Sequence, residues 1–174
     1  MQFRIFSLSA VLIGLALAVG CLHRAPELPR RTIPNQVQDL EQKADQGDAP
    51  AMVRLADRYQ AGEGVRQDFA KAMALYKRAA LEGNLPAHVK LGIMYQNGNG
   101  APRDYKKAYE WFLRAAQKGS PEAQWQVGRC HYDGQGVDPS INQAMRWWRK
   151  AANQGHHKAN FAVLHGYPWY EDGD

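Results

Sequence analysis

Six histidines and two cysteines are the side chains whose types could support chemistry in this sequence. They are His23, His88, His131, His156, His157 and His165, with Cys21 and Cys130. The neighbours Cys130-His131 and His156-His157 look like ligand pairs, but no spacing matches a zinc pattern such as C-x₂-C or H-E-x-x-H. Adjacent residues of a helix point about 100° apart, which suits chelation poorly. We therefore predict no metal site, no cofactor and no catalytic residue.

A Gly-x-Gly phrase returns three times, in YQAGEGVRQDFAKA from Tyr59, YQNGNGAPRDYKKA from Tyr95 and HYDGQGVDPSINQA from His131. Glycine-rich loops can cradle phosphate, but each of these follows a predicted helix and lacks the Lys-Ser/Thr of a P-loop. We predict instead that the glycines supply positive φ in a tight helix–helix turn. They are Gly62, Gly64, Gly98, Gly100, Gly134 and Gly136.

The phrase marks a repeat with a fixed period. The chain aligns with itself at a shift of 36 residues without a gap, so that Ala51, Ala87, Ala123 and Ala159 coincide. Each unit predicts two helices with apolar stripes and capping residues at their starts. The predicted caps are Asp48, Asn84 and Ser120 for the first helices and Asp68, Asp104 and Ser140 for the second. A period of this length indicates stacked hairpins, because one hairpin cannot bury its own apolar face.

These features predict an all-α fold, a right-handed α-solenoid of helix-turn-helix repeats with a 36-residue period. We place the solenoid at 36–167, with a half repeat, three repeats near 48–83, 84–119 and 120–155, and a closing half repeat. Small residues should let the helices approach closely, while an aromatic residue fills the gap to the neighbour. These aromatic residues are Tyr76, Phe112 and Trp148.

The central unit, LGIMYQNGNGAPRDYKKAYEWFLRAAQKG, resembles the Sel-one-like repeat, a relative of the tetratricopeptide repeat. So do the flanking segments GEGVRQDFAKAMALYKRAAL and GQGVDPSINQAMRWWRKAA, and the resemblance covers about 37–167. It implies a non-enzymatic protein–protein interaction module, in which one face of the first helices lines a concave groove.

Helical geometry predicts which residues face that groove. Trp125, Arg129 and Tyr132 lie opposite the core stripe of their helix. Aromatic and arginine side chains are typical of interface hot spots. The predicted partner-binding groove comprises Trp125, Arg129, Tyr132, Val89, Ile93, Gln96, Asp57, Gln60, Phe161 and His165. The alternative is that Trp125 and Phe161 pack against neighbouring repeats or the tail.

The N-terminal segment predicts export. Arg4 precedes an apolar stretch that is too short for a comfortable membrane span, as in a signal peptide at 1–20. The following LAVGC resembles the lipobox of bacterial lipoproteins, which implies lipidation at Cys21; the alternative is an ordinary signal peptide with a chance cysteine. A Pro-rich tether at 21–35 would follow, and 168–174 would form an aromatic and acidic tail. Leu22 after the cysteine favours, by resemblance to enterobacterial sorting, the periplasm-facing surface of the outer membrane.

The net charge of +5 is spread along the chain, and no Lys/Arg run predicts nucleic-acid binding. We expect a lipid-anchored module of the bacterial cell envelope that binds an envelope protein or peptide, with membrane contact through the N-terminal lipid. The alternative is a structural scaffold subunit of an envelope or secretion/polysaccharide-export assembly.

Overall fold

The computed structural model describes residues 33–167, and within them every secondary-structure element is an α-helix. The predicted signal peptide, Cys21 and the tail at 168–174 lie outside the described residues. The helices in this range are α1 (Ile33–Asp45), α2 (Ala49–Ala61), α3 (Phe69–Leu81), α4 (Leu85–Asn97), α5 (Tyr105–Gln117), α6 (Pro121–Asp133), α7 (Ile141–Ala152) and α8 (His157–His165). Each helix packs against its neighbours in chain order, and the predicted all-α solenoid is confirmed.

Side-chain caps begin the helices because the first amides of a helix have no partner within it. In the first helices of the three units, the caps accept the amide three residues on at 2.9, 3.0 and 3.3 Å. These caps are Asp48, Asn84 and Ser120. In the second helices Asp68, Asp104 and Ser140 do the same. The start of each helix is therefore encoded locally.

The tether prediction needs a correction at its end. Helix α1 begins at Ile33 and includes Pro34, whereas the tether was expected to run to residue 35. Proline is tolerated in a first turn, since its missing N–H would have no partner within the helix. The last residues assigned to the tether thus belong to the first helix.

The six turn glycines all have positive φ, between 69° and 79°. Gly100 shows why no larger residue fits: a Cβ there would lie 2.6 Å from the carbonyl oxygen of Phe69. Gly136 approaches the carbonyl oxygen of Tyr105 in the same way. Each of these turns therefore rests on the start of the second helix of the preceding unit.

The core pairs a buried aromatic ring with a small residue on the facing helix. Tyr76, Phe112 and Trp148 are at most 1% exposed. A Cβ added at Gly92 would lie 2.7 Å from Phe112 Cζ, and one at Gly128 would lie 2.9 Å from Trp148 Cε2. The prediction that small residues admit a close approach filled by an aromatic ring is confirmed, and this contact sets the spacing within each hairpin.

Candidate functional site

Two cavities follow one another along the first helices of the units. The first, of about 540 Å³, is lined by residues that include Asp57, Gln60 and Lys90. The second, of about 560 Å³, is lined by residues that include Ile93 and Arg129. Lys90 and Ile93 are one turn apart on α4, so the cavities adjoin. We call the surface formed by both cavities the groove.

The first cavity contains a charged network anchored on Asp57. Its carboxylate accepts a hydrogen bond from the Tyr76 hydroxyl at 2.6 Å and from Lys90 Nζ at 2.8 Å. The Tyr76 ring is fully buried, and burial, followed by the hydrogen bond to Asp57, raises the pKa of its phenol above the usual range. The phenol therefore stays protonated and holds Asp57 in place for Lys90.

The second cavity is polar and has no carboxylate among its lining residues. Gln96 donates to Gln135 Oε1 at 2.6 Å, which joins α4 to the turn after α6. Arg129 Nη1 donates to Gln126 Oε1 at 3.4 Å, and Arg129 Nε is buried without a hydrogen-bond partner. Arg103, from the preceding turn, adds a second guanidinium to the lining.

The structure corrects the predicted position of Trp125. Its side chain is 4% exposed and lies 5.4 Å from the Trp148 ring, 5.7 Å from His156 and 5.8 Å from Tyr167, centroid to centroid. A first helix in a solenoid has neighbours on two sides, so the face opposite its hairpin stripe is covered by the next repeat. Val89, at 6% exposure, is buried in the core for the same reason and does not line the groove.

Tyr132 joins the rings that cover Trp125. It is partly buried, with its ring 4.8 Å from Tyr167 and 5.7 Å from Trp148. We call Trp125, Tyr132, Trp148 and Tyr167 the aromatic cluster. It closes the C-terminal end of the core, as in the alternative interpretation of Trp125.

Phe161 and His165 are exposed on α8 and line neither cavity, although their rings are 4.4 Å apart. Of the predicted groove residues, Asp57, Gln60, Ile93, Gln96 and Arg129 do line it. The other lining residues were not predicted, and they include Lys90, Gln126, Arg103 and Gln135. The first two lie one turn before Ile93 and Arg129, so helical spacing could have found them.

His156, His131 and Cys130 are held in structural positions. His156 caps α8: its Nδ1 accepts the Ala159 amide at 3.2 Å, so Nε2 carries the hydrogen and donates to Glu122 at 3.0 Å. His131 is buried with Nε2 3.3 Å from the Tyr109 hydroxyl. Burial raises the pKa of the Cys130 thiol to about 12. Within residues 33–167, no three His, Cys, Asp or Glu side chains gather as metal ligands would.

Stacked hairpins with capped starts, glycine turns and an apolar seam define a helical-repeat solenoid of the tetratricopeptide-like type. Three consecutive matches to the Sel1 repeat, at residues 49–84, 85–120 and 121–156, cover more than half of the chain, and the protein belongs to the Sel1 repeat family. Proteins of this family are generally non-catalytic protein-interaction modules.

Solved structures with the same repeat support this assignment. A protective antigen of uropathogenic Escherichia coli with an SLR fold is 38% identical, with a TM-score of 0.70 over 72% of this chain and 27% of that chain. A Sel1 repeat protein from Oxalobacter formigenes is 37% identical, with a TM-score of 0.66 over 73% of this chain and 96% of that chain. Cysteine rich protein B of Helicobacter pylori, 20% identical with a TM-score of 0.59 over 74% and 96% of the two chains, shares the fold. No curated protein matches this chain.

Proposed function

We propose that this protein is a docking module that binds a segment of a protein or peptide partner in the groove. The observation that carries the proposal is the pair of adjoining cavities at equivalent positions of successive repeats. Ligand sites commonly have volumes of about 300–1,000 Å³, so each cavity can accept side chains of a partner. Solenoids use such extended faces of their first helices for binding.

We further propose that the module is lipid-anchored through Cys21 and faces the periplasm from the outer membrane. The lipobox-like LAVGC and the preceding apolar stretch support this location. Among the described helices, none is both long and apolar enough to cross a bilayer. In this proposal attachment rests on acyl chains, each CH₂ of which contributes about 0.8 kcal/mol of membrane affinity.

Site-specific photo-crosslinking in intact cells tests the docking proposal. A benzophenone amino acid replaces Ile93 in the groove or, as the matched control, Glu110 on the exposed side of α5. We expect discrete adducts from position 93 and none of the same size from position 110. Equal adducts from both positions, or adducts from position 110 alone, would remove the groove as the docking surface.

The exposed end of the solenoid favours a second candidate, the scaffold subunit. Leu164 and Phe161 on α8 are 67% and 45% exposed, whereas the residues equivalent to them in the second and third repeats are buried. A scaffold would cover this end with another subunit. In that case Leu164→Ser should reduce the size of the envelope complex in sedimentation while crosslinking at position 93 stays unchanged.

A further inference from the structure

We propose that the second cavity binds the carboxylate side chains of an acidic peptide segment from the partner, held by Arg129 and Arg103. This inference rests on the docking function proposed above and names the chemistry of the docked segment. It also fixes the direction of the bound segment, because the acidic part of the segment would lie against the third unit.

Equivalent positions of the repeats carry opposite charges along the groove. The position of Asp57 is occupied by Ile93 one unit later and by Arg129 in the third unit. In the first cavity two of the cations have partners within the chain: Lys90 is paired with Asp57 at 2.8 Å and Arg58 with Glu63 at 2.9 Å. The third unit thus has a guanidinium at the position where the first unit has the neutralising carboxylate.

Arg129 lacks comparable partners. Within residues 33–167, its Nε is buried without a hydrogen bond, and its hydrogen bond to a side chain, to Gln126, is 3.4 Å long. A guanidinium has five donors in a planar fork that matches a carboxylate, so an unfilled fork at the edge of a cavity favours that ligand. Arg103 lies over the Tyr105 ring at 5.4 Å, and within the described residues it forms no ion pair.

Among the described residues, no carboxylate forms an ion pair with either arginine. Asp133, one turn beyond Arg129 on α6, does not line the cavity, and no ion pair joins the two side chains. Burial raises the pKa of the Asp133 carboxyl more than the charge of Arg129 lowers it, so the two groups interact only at longer range. Asp104, next to Arg103, accepts the amide of Lys107 at 2.9 Å and lies 3.1 Å from its ammonium group. The positive charge of the second cavity is therefore available to a ligand.

The remaining lining favours a peptide over an isolated anion. The amide groups of Gln96, Gln126 and Gln135 already bond to one another, to Arg129 or to Glu122, but each amide has two donors and two acceptor positions, so capacity remains for the backbone of an extended segment. Ile93 adds an apolar surface for the aliphatic part of a glutamate side chain. Charge, hydrogen bonding and apolar contact together match an acidic peptide.

Fluorescence anisotropy on the full chain tests this inference. The probes are a fluorescein-labelled hexaglutamate peptide and a matched hexaglutamine peptide at low salt. We expect the wild-type chain to bind hexaglutamate at least about tenfold more tightly than hexaglutamine. Arg129→Gln and the exposed Arg103→Gln should each weaken hexaglutamate binding about tenfold, while Arg54→Gln in the first cavity should change it less than about twofold.

Several results would overturn the inference. The first is equal binding of the two peptides, and the second is unchanged hexaglutamate binding in Arg129→Gln and Arg103→Gln. The third is an equal loss of hexaglutamate binding in Arg54→Gln, because that result would indicate attraction to net charge alone. Displacement of hexaglutamate by submillimolar inorganic phosphate would assign the cavity to a small anion. Binding that tightens after Glu171→Gln, Asp172→Asn and Asp174→Asn are combined would make the chain's own tail the occupant.

Two combinations of results distinguish a failure of the acidic-peptide inference from a failure of the docking proposal. If position 93 crosslinks to a partner and Arg129→Gln leaves both the adduct and hexaglutamate binding unchanged, the groove docks a partner without reading its carboxylates. If position 93 and position 110 crosslink alike while hexaglutamate binding still depends on Arg129, the docking proposal fails and the acidic site stands.

Discussion

Replacing Trp125 with alanine tests whether the aromatic cluster holds the C-terminal end of the solenoid. Trp125 is 4% exposed and packs on Trp148, Tyr167 and His156. A buried tryptophan covers about 150–250 Å². At about 25 cal/mol per Å² this area corresponds to about 4–6 kcal/mol, and measured losses for such truncations are about 3–5 kcal/mol. We expect Trp125→Ala to lower the free energy of unfolding by about 3–5 kcal/mol.

The matched control is Phe161→Ala, since Phe161 occupies the equivalent helix position one repeat later but is 45% exposed. At about 2–4 °C per kcal/mol, Trp125→Ala should lower Tm by about 6–20 °C, whereas Phe161→Ala should lower it by only a few degrees. Calorimetry gives the Tm, and hydrogen exchange should show α8 losing protection first, because solenoid stability passes through nearest-neighbour interfaces. A Trp125→Ala chain that melts like wild type but no longer crosslinks from position 93 would refute the packing role and restore Trp125 to the docking surface.

Three further variants have defined outcomes. In a solvent-exposed helix, Gly→Ala adds about 1 kcal/mol of stability. Gly92→Ala should instead lower the free energy of unfolding in urea by about 1–2 kcal/mol, because the added Cβ meets the Phe112 ring. A gain in stability would contradict this contact. In Cys21→Ser the one remaining thiol is Cys130, which should react with a disulfide reagent at pH 8 only after denaturation. Because the pKa of Cys130 is raised to about 12 and an unfolded thiol ionises near pH 8.5, its stabilising contribution should be complete below that pH and be lost as the pH rises towards 12. Cys130→Ala should remove the fall in stability between about pH 8.5 and 10; above about pH 10 the phenols of Tyr76 and Tyr109, whose pKa values burial also raises, add a slope of the same sign. The same Cys21→Ser chain should leave the membrane fraction, and unchanged fractionation would refute lipid anchoring.

The fold could be predicted because its determinants are local and recur. Asp68 and Asp104 cap the second helices through a side chain three residues from the amide it accepts, and Gly100 is fixed by a turn that any copy of the repeat requires. Such features need no knowledge of distant contacts. The shift of 36 residues then extends each local feature to the next unit.

The groove could be predicted only where it lies on one helix. Helical spacing found Ile93 and Arg129, which lie at equivalent positions of α4 and α6. It failed for Trp125, because the angle around a single helix cannot show that the next repeat covers that face. Arg103 and Gln135 were missed since both lie in turns between helices, where no periodicity locates a side chain.

The residues that fix the fold and those that give the groove its chemistry are therefore different sets. A solenoid needs the same small residues, caps and glycines in every unit, so these positions carry no information about a partner. The position occupied by Asp57, Ile93 and Arg129 has no such constraint, and its charge changes from negative to neutral to positive along the chain. Of the three aromatic residues at the equivalent core position, Tyr76 alone has a hydroxyl, and it holds Asp57. Phe112 and Trp148 leave Ile93 and Arg129 without that contact. The residue at this groove position thus changes together with the aromatic residue at the facing core position. Recognition of a particular partner has to depend on positions that differ between the repeats in this way.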